Sequence, residues 1–70
     1  MSRYLEEAAQ LLRKSADANE QENRGYPRSL QEGRERIARE FATLAAIDKG
    51  LVPVELAADL VAHIVARQGK

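Results

Sequence analysis

The chain has no cysteine and no tryptophan, and only one phenylalanine, one histidine, two tyrosines and two prolines among its 70 residues. Without cysteine it can form neither a disulfide nor a thiolate metal site, and it fits a reducing compartment. With one phenylalanine and many alanines, any core is small. No apolar run approaches the roughly 18 residues that a membrane span needs. Glu6 and Glu7 bring acidic charge too early for a secretory signal, so a cytoplasmic location without membrane attachment is expected. An excess of charge is absent too. Eleven basic residues face eleven acidic ones, for a formal net charge of zero. That balance removes the simplest electrostatic case for a general binder of nucleic acid or membrane surfaces.

What is present is helical periodicity. Residues 1–70 read as one all-α domain with helices over about 3–24, 30–49 and 53–68. In the first, Leu5, Ala8, Ala9, Leu12 and Ala16 recur at three and four, widened by Tyr4 and Leu11. Beyond Ala18 the helix is polar all round, with Glu20 and Arg24 at the favourable i,i+4 spacing. Gly25, expected in the left-handed conformation, and Pro27 end it. Ser29 and Glu32 have the spacing of a capping box opening the second helix. Its core face is Leu30, Ile37, Phe41 and Leu44, flanked by Ala38, Ala45 and Ile47. Glu32, Arg36 and Glu40 form a ladder on the opposite side, and Gly33 weakens the first turn by about 1 kcal/mol relative to alanine. Gly50 ends this helix, and Pro53 opens the third.

The third helix is apolar over most of its circumference. Its polar residues, Glu55, Asp59, His63 and Arg67, make one narrow stripe. Such a helix is buried on more than one side. Short connections imply a long antiparallel hairpin of the first two helices, with the apolar third helix packed across the end away from a polar tip. A core this small gives little net stability once roughly 1.5 kcal/mol per ordered residue is subtracted. Self-association, as a homodimer, is therefore expected through Leu56, Leu60, Val61, Ile64 and Val65.

Chemistry is sparse, and neither a catalytic site nor a cofactor or metal site is expected. Asp59 could orient His63, but a zinc site needs about three protein ligands, and only Asp59 or Glu55 could join it from one chain. A place in the solvated stripe explains His63 more simply. Ser2 is terminal, Ser15 lies at a helix edge, Ser29 reads as a cap and Thr43 faces outward, so no nucleophile is paired with a base. Gly25, Gly33, Gly50 and Gly69 are isolated and make no phosphate loop.

Two binding patterns remain. Residues 46–51 place an alanine four before a turn glycine, and Leu56 follows at the contact position, which resembles helix-turn-helix spacing over about 20 residues. The recognition helix would then present Glu55 and Asp59 to phosphates, so DNA binding is an alternative and not the favoured reading. A basic group of Arg24, Arg28, Arg34, Arg36 and Arg39 surrounds Tyr26 at or after the tip. Arginine and tyrosine often dominate protein interfaces, so Arg24, Tyr26 and Arg28 are the candidate contact to a protein partner. The plain alternative is a solvated face neutralised by Glu20, Glu22, Glu32, Glu35 and Glu40.

The stretch from Ala38 to Pro53, AREFATLAAIDKGLVP, resembles a phrase in short helical proteins of actinobacteria and their phages. The resemblance covers about half the chain, and no activity is assigned to the group, so it transfers no functional residue. It implies a phage or mobile-element accessory protein that acts by binding a protein. The function expected from the whole is a non-enzymatic, self-associating interaction module serving as adaptor, inhibitor or regulator.

Overall fold

A computed structural model describes residues 2–68. Met1, Gly69 and Lys70, part of the domain expected over residues 1–70, lie outside the described residues. The fold is all-helical: α1 (Arg3–Glu22), α2 (Pro27–Asp48) and α3 (Val54–Gln68). No strand occurs among the described residues.

The helix ends follow local chemistry, in places not the chemistry anticipated. Ser2 is more than a terminal residue. Its hydroxyl oxygen accepts from the Leu5 amide at 3.2 Å, capping α1. At the other end α1 stops at Glu22, and Asn23, not a left-handed Gly25, makes the cap. The Asn23 side-chain amide donates to Asn19 Oδ1 at 2.7 Å, and the Tyr26 amide returns to the Asn23 carbonyl at 2.9 Å. These short-range bonds close the turn without positive φ. The capping box at Ser29 does not form. Pro27 already occupies the first helical position, and the Tyr26 carbonyl accepts from the Leu30 amide at 2.9 Å. A proline there needs no cap for its missing N–H and has its φ preset, so it starts α2 before Ser29. At the far end of α2 the glycine expectation holds. Gly50 has φ 75°, its amide donates to Ile47, and the Leu51 amide donates to Ala46. This bond pair is a Schellman closure, which favours glycine because other residues resist that φ.

The core lies away from the first turn. Leu5, Ala8, Ala9 and Leu12 of α1 meet Ile37 and Leu44 of α2 and Val61 and Ile64 of α3. Phe41, Ile47, Ala16 and Val65 pack against this cluster while half-buried, and Leu30 is likewise half-buried. Ala38 and Ala45, expected beside the core, are exposed. Within the chain the third helix buries only Val61 and Ile64, and Leu56 and Leu60 stay exposed. Within one chain a single side of α3 has neighbours to pack against.

Gly33 also reads differently in three dimensions. A Cβ there would overlap the Asn19 side-chain amide, which donates to the Leu30 carbonyl at 3.1 Å and accepts from Asn23. The glycine therefore admits Asn19 of α1 against the first turns of α2. Alanine would gain about 1 kcal/mol of helix propensity but displace an amide held by two hydrogen bonds, each worth about 0.5–1.5 kcal/mol. Gly33→Ala is expected to lower stability by about 1 kcal/mol, whereas the same change in an Asn19→Ala background raises it. Urea denaturation of the four chains checks the sign reversal. Stabilisation in the native background would mean that Asn19 does not occupy that place.

Candidate functional site

At the turn between α1 and α2, Arg24, Tyr26 and Arg28 are all exposed. Arg28 has only a loose contact with Glu32, Nε to Oε2 at 3.7 Å, with both side chains in solvent. Glu20, expected to pair with Arg24 along α1, instead reaches across to α2. Arg34 donates to it through Nε at 2.7 Å and Nη2 at 2.6 Å. Those hydrogen bonds hold the Glu20 carboxyl below the usual carboxylate range and raise the Arg34 guanidinium. Because the Glu20 value falls on folding, the pair contributes fully above the usual carboxylate range and fades as pH drops through the lower folded-state value. The arginine group read from the sequence is thus divided. Arg24 and Arg28 stay at the tip, Arg34 is occupied by Glu20, and Arg36 and Arg39 belong to a different site.

That site is a groove of about 280 Å³ between α2 and α3. Arg36, Arg39 and Thr43 line one wall, Leu60, His63 and Arg67 the other, and Glu40 and Ile64 the floor. Glu40 was expected on the solvated ladder and is instead 7% exposed. It sits three residues after Ile37 and four before Leu44, so it falls on the same buried stripe of α2. Its Oε1 accepts from Arg36 Nη1 at 3.3 Å and from Gln68 Nε2 at 3.0 Å. Its Oε2 lies 3.4 Å from Arg67 Nε but receives no well-formed hydrogen bond. The Gln68 amide also donates to the Ile64 carbonyl at 2.8 Å, which fixes it over the carboxylate. The Thr43 hydroxyl donates to the Arg39 carbonyl at 3.1 Å. Two guanidiniums, Arg36 and Arg67, therefore contact one carboxylate, in a groove that Arg39 and an exposed histidine also line. Spacing along the chain does not reveal this group, because its members come from two helices.

Large apolar side chains stay exposed in the α2–α3 turn and along α3. Leu51 is 72% exposed, Val54 86%, Leu56 53% and Leu60 38%. Tyr4 of α1 lies near the same end, its hydroxyl donating to the Ala58 carbonyl at 3.4 Å. Of the five residues expected at a self-association surface, Leu56 and Leu60 are exposed, Val65 is half-buried, and Val61 and Ile64 are enclosed in the chain's own core. A second, smaller hollow of about 220 Å³ lies between α1 and α2, over Ala16, Ile37, Ala38 and Phe41. It leaves Phe41 only half-buried.

His63 is exposed on α3. No group of three metal-binding side chains forms among the described residues, and no described helix is long and apolar enough to cross a membrane. No family model, curated protein or solved structure matches the chain.

Proposed function

We propose that this chain is a small non-enzymatic helical module that self-associates and binds another protein, as an adaptor, inhibitor or regulator. The observation that carries this reading is the uncovered apolar edge of Leu51, Val54, Leu56 and Leu60. Leu56 and Leu60, one turn apart, share a face of α3, and apolar surface left exposed together on a small domain marks interaction. In this reading α1 and α2 are an antiparallel hairpin, supported by the Asn19–Leu30 and Glu20–Arg34 bonds beside the turn. The tip residues Arg24, Tyr26 and Arg28 take the protein partner. The module works in the cytoplasm, as an accessory of a phage or mobile element. A DNA-binding role through α3 is the lesser reading, because Glu55 and Asp59 are exposed on that helix and repel phosphate.

Light scattering after size exclusion tests the self-association. The wild-type chain is expected to elute as a dimer, and Leu56→Glu with Leu60→Glu as a folded monomer with unchanged far-ultraviolet circular dichroism. A wild-type monomer at every concentration would remove the reading. For the tip, Tyr26→Ala with Arg28→Ala should abolish capture of a protein partner from nuclease-treated lysate and leave the melting temperature alone. Capture that survives the substitutions excludes the tip, and capture that vanishes with nuclease favours DNA.

A further inference from the structure

The groove between α2 and α3 concentrates positive charge. Arg36, Arg39 and Arg67 line it together with one carboxylate, Glu40. With His63 neutral, two positive charges are left over, in a chain whose net charge is zero. The carboxylate is also shielded. Glu40 is 7% exposed, and its Oε2 is closed off from solvent. What faces an incoming solute is cationic, since the side chains of Arg36 and Arg67 are 32% and 45% exposed. Nor are these cations used up. A guanidinium has five N–H donors. Arg36 spends Nη1 on Glu40 at 3.3 Å, and Arg67 only approaches it, Nε to Oε2 at 3.4 Å. Arg39 is exposed and makes no ion pair among the described residues. His63, also exposed, adds a ring N–H donor in either tautomer. Beside these donors Leu60 and Ile64 give the groove an apolar part.

We infer that this groove binds a small molecule carrying a phosphate monoester. Charge is the first reason. A phosphate monoester carries about −1.5 to −2 near neutral pH, which balances the two uncompensated cations. Geometry is the second. Arginine presents planar, forked donors that match phosphate oxygens, often two at a time. Glu40 contacts both Arg36 and Arg67, so part of the side-chain freedom lost on binding is already given up. Size is the third. A groove of about 280 Å³ lies at the small end of ligand sites, which run from about 300 to 1,000 Å³. It has room for a phosphate and one modest apolar group against Leu60, not for an extended polymer. A nucleic-acid backbone needs cations spread along the surface, and elsewhere α3 exposes Glu55 and Asp59. The inference depends neither on the tip nor on self-association.

Titration of the full chain with phenyl phosphate, followed in amide NMR spectra at about pH 7.5 and low salt, tests this, with phenol and benzoate as comparisons. The expected result is saturable binding with a Kd of about 1 mM or tighter. The shifts should gather on residues 36–43 and 60–67. Phenol should move nothing, and benzoate, with one negative charge, should bind at least about tenfold more weakly. Arg39 has no ion-pair partner to lose, so Arg39→Gln is expected to keep the wild-type spectrum and weaken binding about tenfold. Arg24→Gln, at the exposed tip, should leave the affinity unchanged. Absence of saturable binding, shifts spread over the whole surface, or equal weakening by the two substitutions would overturn the inference. Benzoate or phenol binding as tightly as phenyl phosphate would overturn the ligand class. A short mixed-sequence DNA duplex that displaces phenyl phosphate at lower concentration would assign the groove to nucleic acid instead.

Discussion

Leu12→Ala is expected to remove most of the stability of the chain, leaving a shallow or missing unfolding transition in urea. Leu12 is 0% exposed and sits where the three helices meet. Leucine-to-alanine changes at such positions cost about 2.7–5 kcal/mol, more where the surroundings cannot collapse into the gap. Here they cannot do so easily. The neighbours on its own helix face are Ala8, Ala9 and Ala16, which have no side-chain length to shift into the void. A chain of this size has about 3.5–10 kcal/mol in total, so one methyl-lined cavity takes a large share. Leu51→Ala is the contrast. That residue is 72% exposed, and the change is expected to stay within about 0.5 kcal/mol. Circular dichroism in urea at one fixed chain concentration compares the two, since self-association adds concentration-dependent stability. Equal midpoints for the two variants would place the core elsewhere.

The same contrast explains what could be read beforehand. Along α1 the identity of a residue and its position agree. Leu5, Ala8, Ala9 and Leu12 are apolar and fall at helical spacing, and all are buried. Where identity and position disagree, reading by identity fails. Glu40 lies on the Ile37–Leu44 stripe, yet its charge suggests a solvated place. Only α3, some 28 residues further on, supplies the Gln68 amide that lets it stay inside. Gly33 shows its propensity cost in the sequence, but the reason for it, Asn19, stands on another helix. The Ser29–Glu32 pattern is a genuine capping signature that loses to Pro27 two residues upstream. For α3 the composition is apolar nearly all round, which states how much surface needs cover but not what covers it. The groove is the extreme case, because Arg36, Arg39, His63 and Arg67 become neighbours only once α2 and α3 pack.

Glu40 supplies a second large effect, and its sign depends on which partner is removed. The carboxylate is buried, one oxygen lacks a well-formed hydrogen bond, and its two arginines are 32% and 45% exposed. Burying it costs desolvation that imperfect pairing does not fully offset. Glu40→Met keeps the volume and helix propensity and removes the charge. The freed Arg36 and Arg67 can turn to water. This variant is expected to equal the wild type or exceed it by about 1–2 kcal/mol. Arg36→Met with Arg67→Met does the reverse, stranding a carboxylate on the α2–α3 contact with only Gln68 to hold it. Breaking a buried pair in this way costs about 3–5 kcal/mol. The low end applies because the vacated space is open to solvent on the groove side. Urea midpoints should therefore move in opposite directions from the wild type, and adding Glu40→Met to the double arginine variant should recover most of its loss. If Glu40→Met alone is as damaging as losing both arginines, the ion group holds α3 onto α2 and the desolvation argument fails.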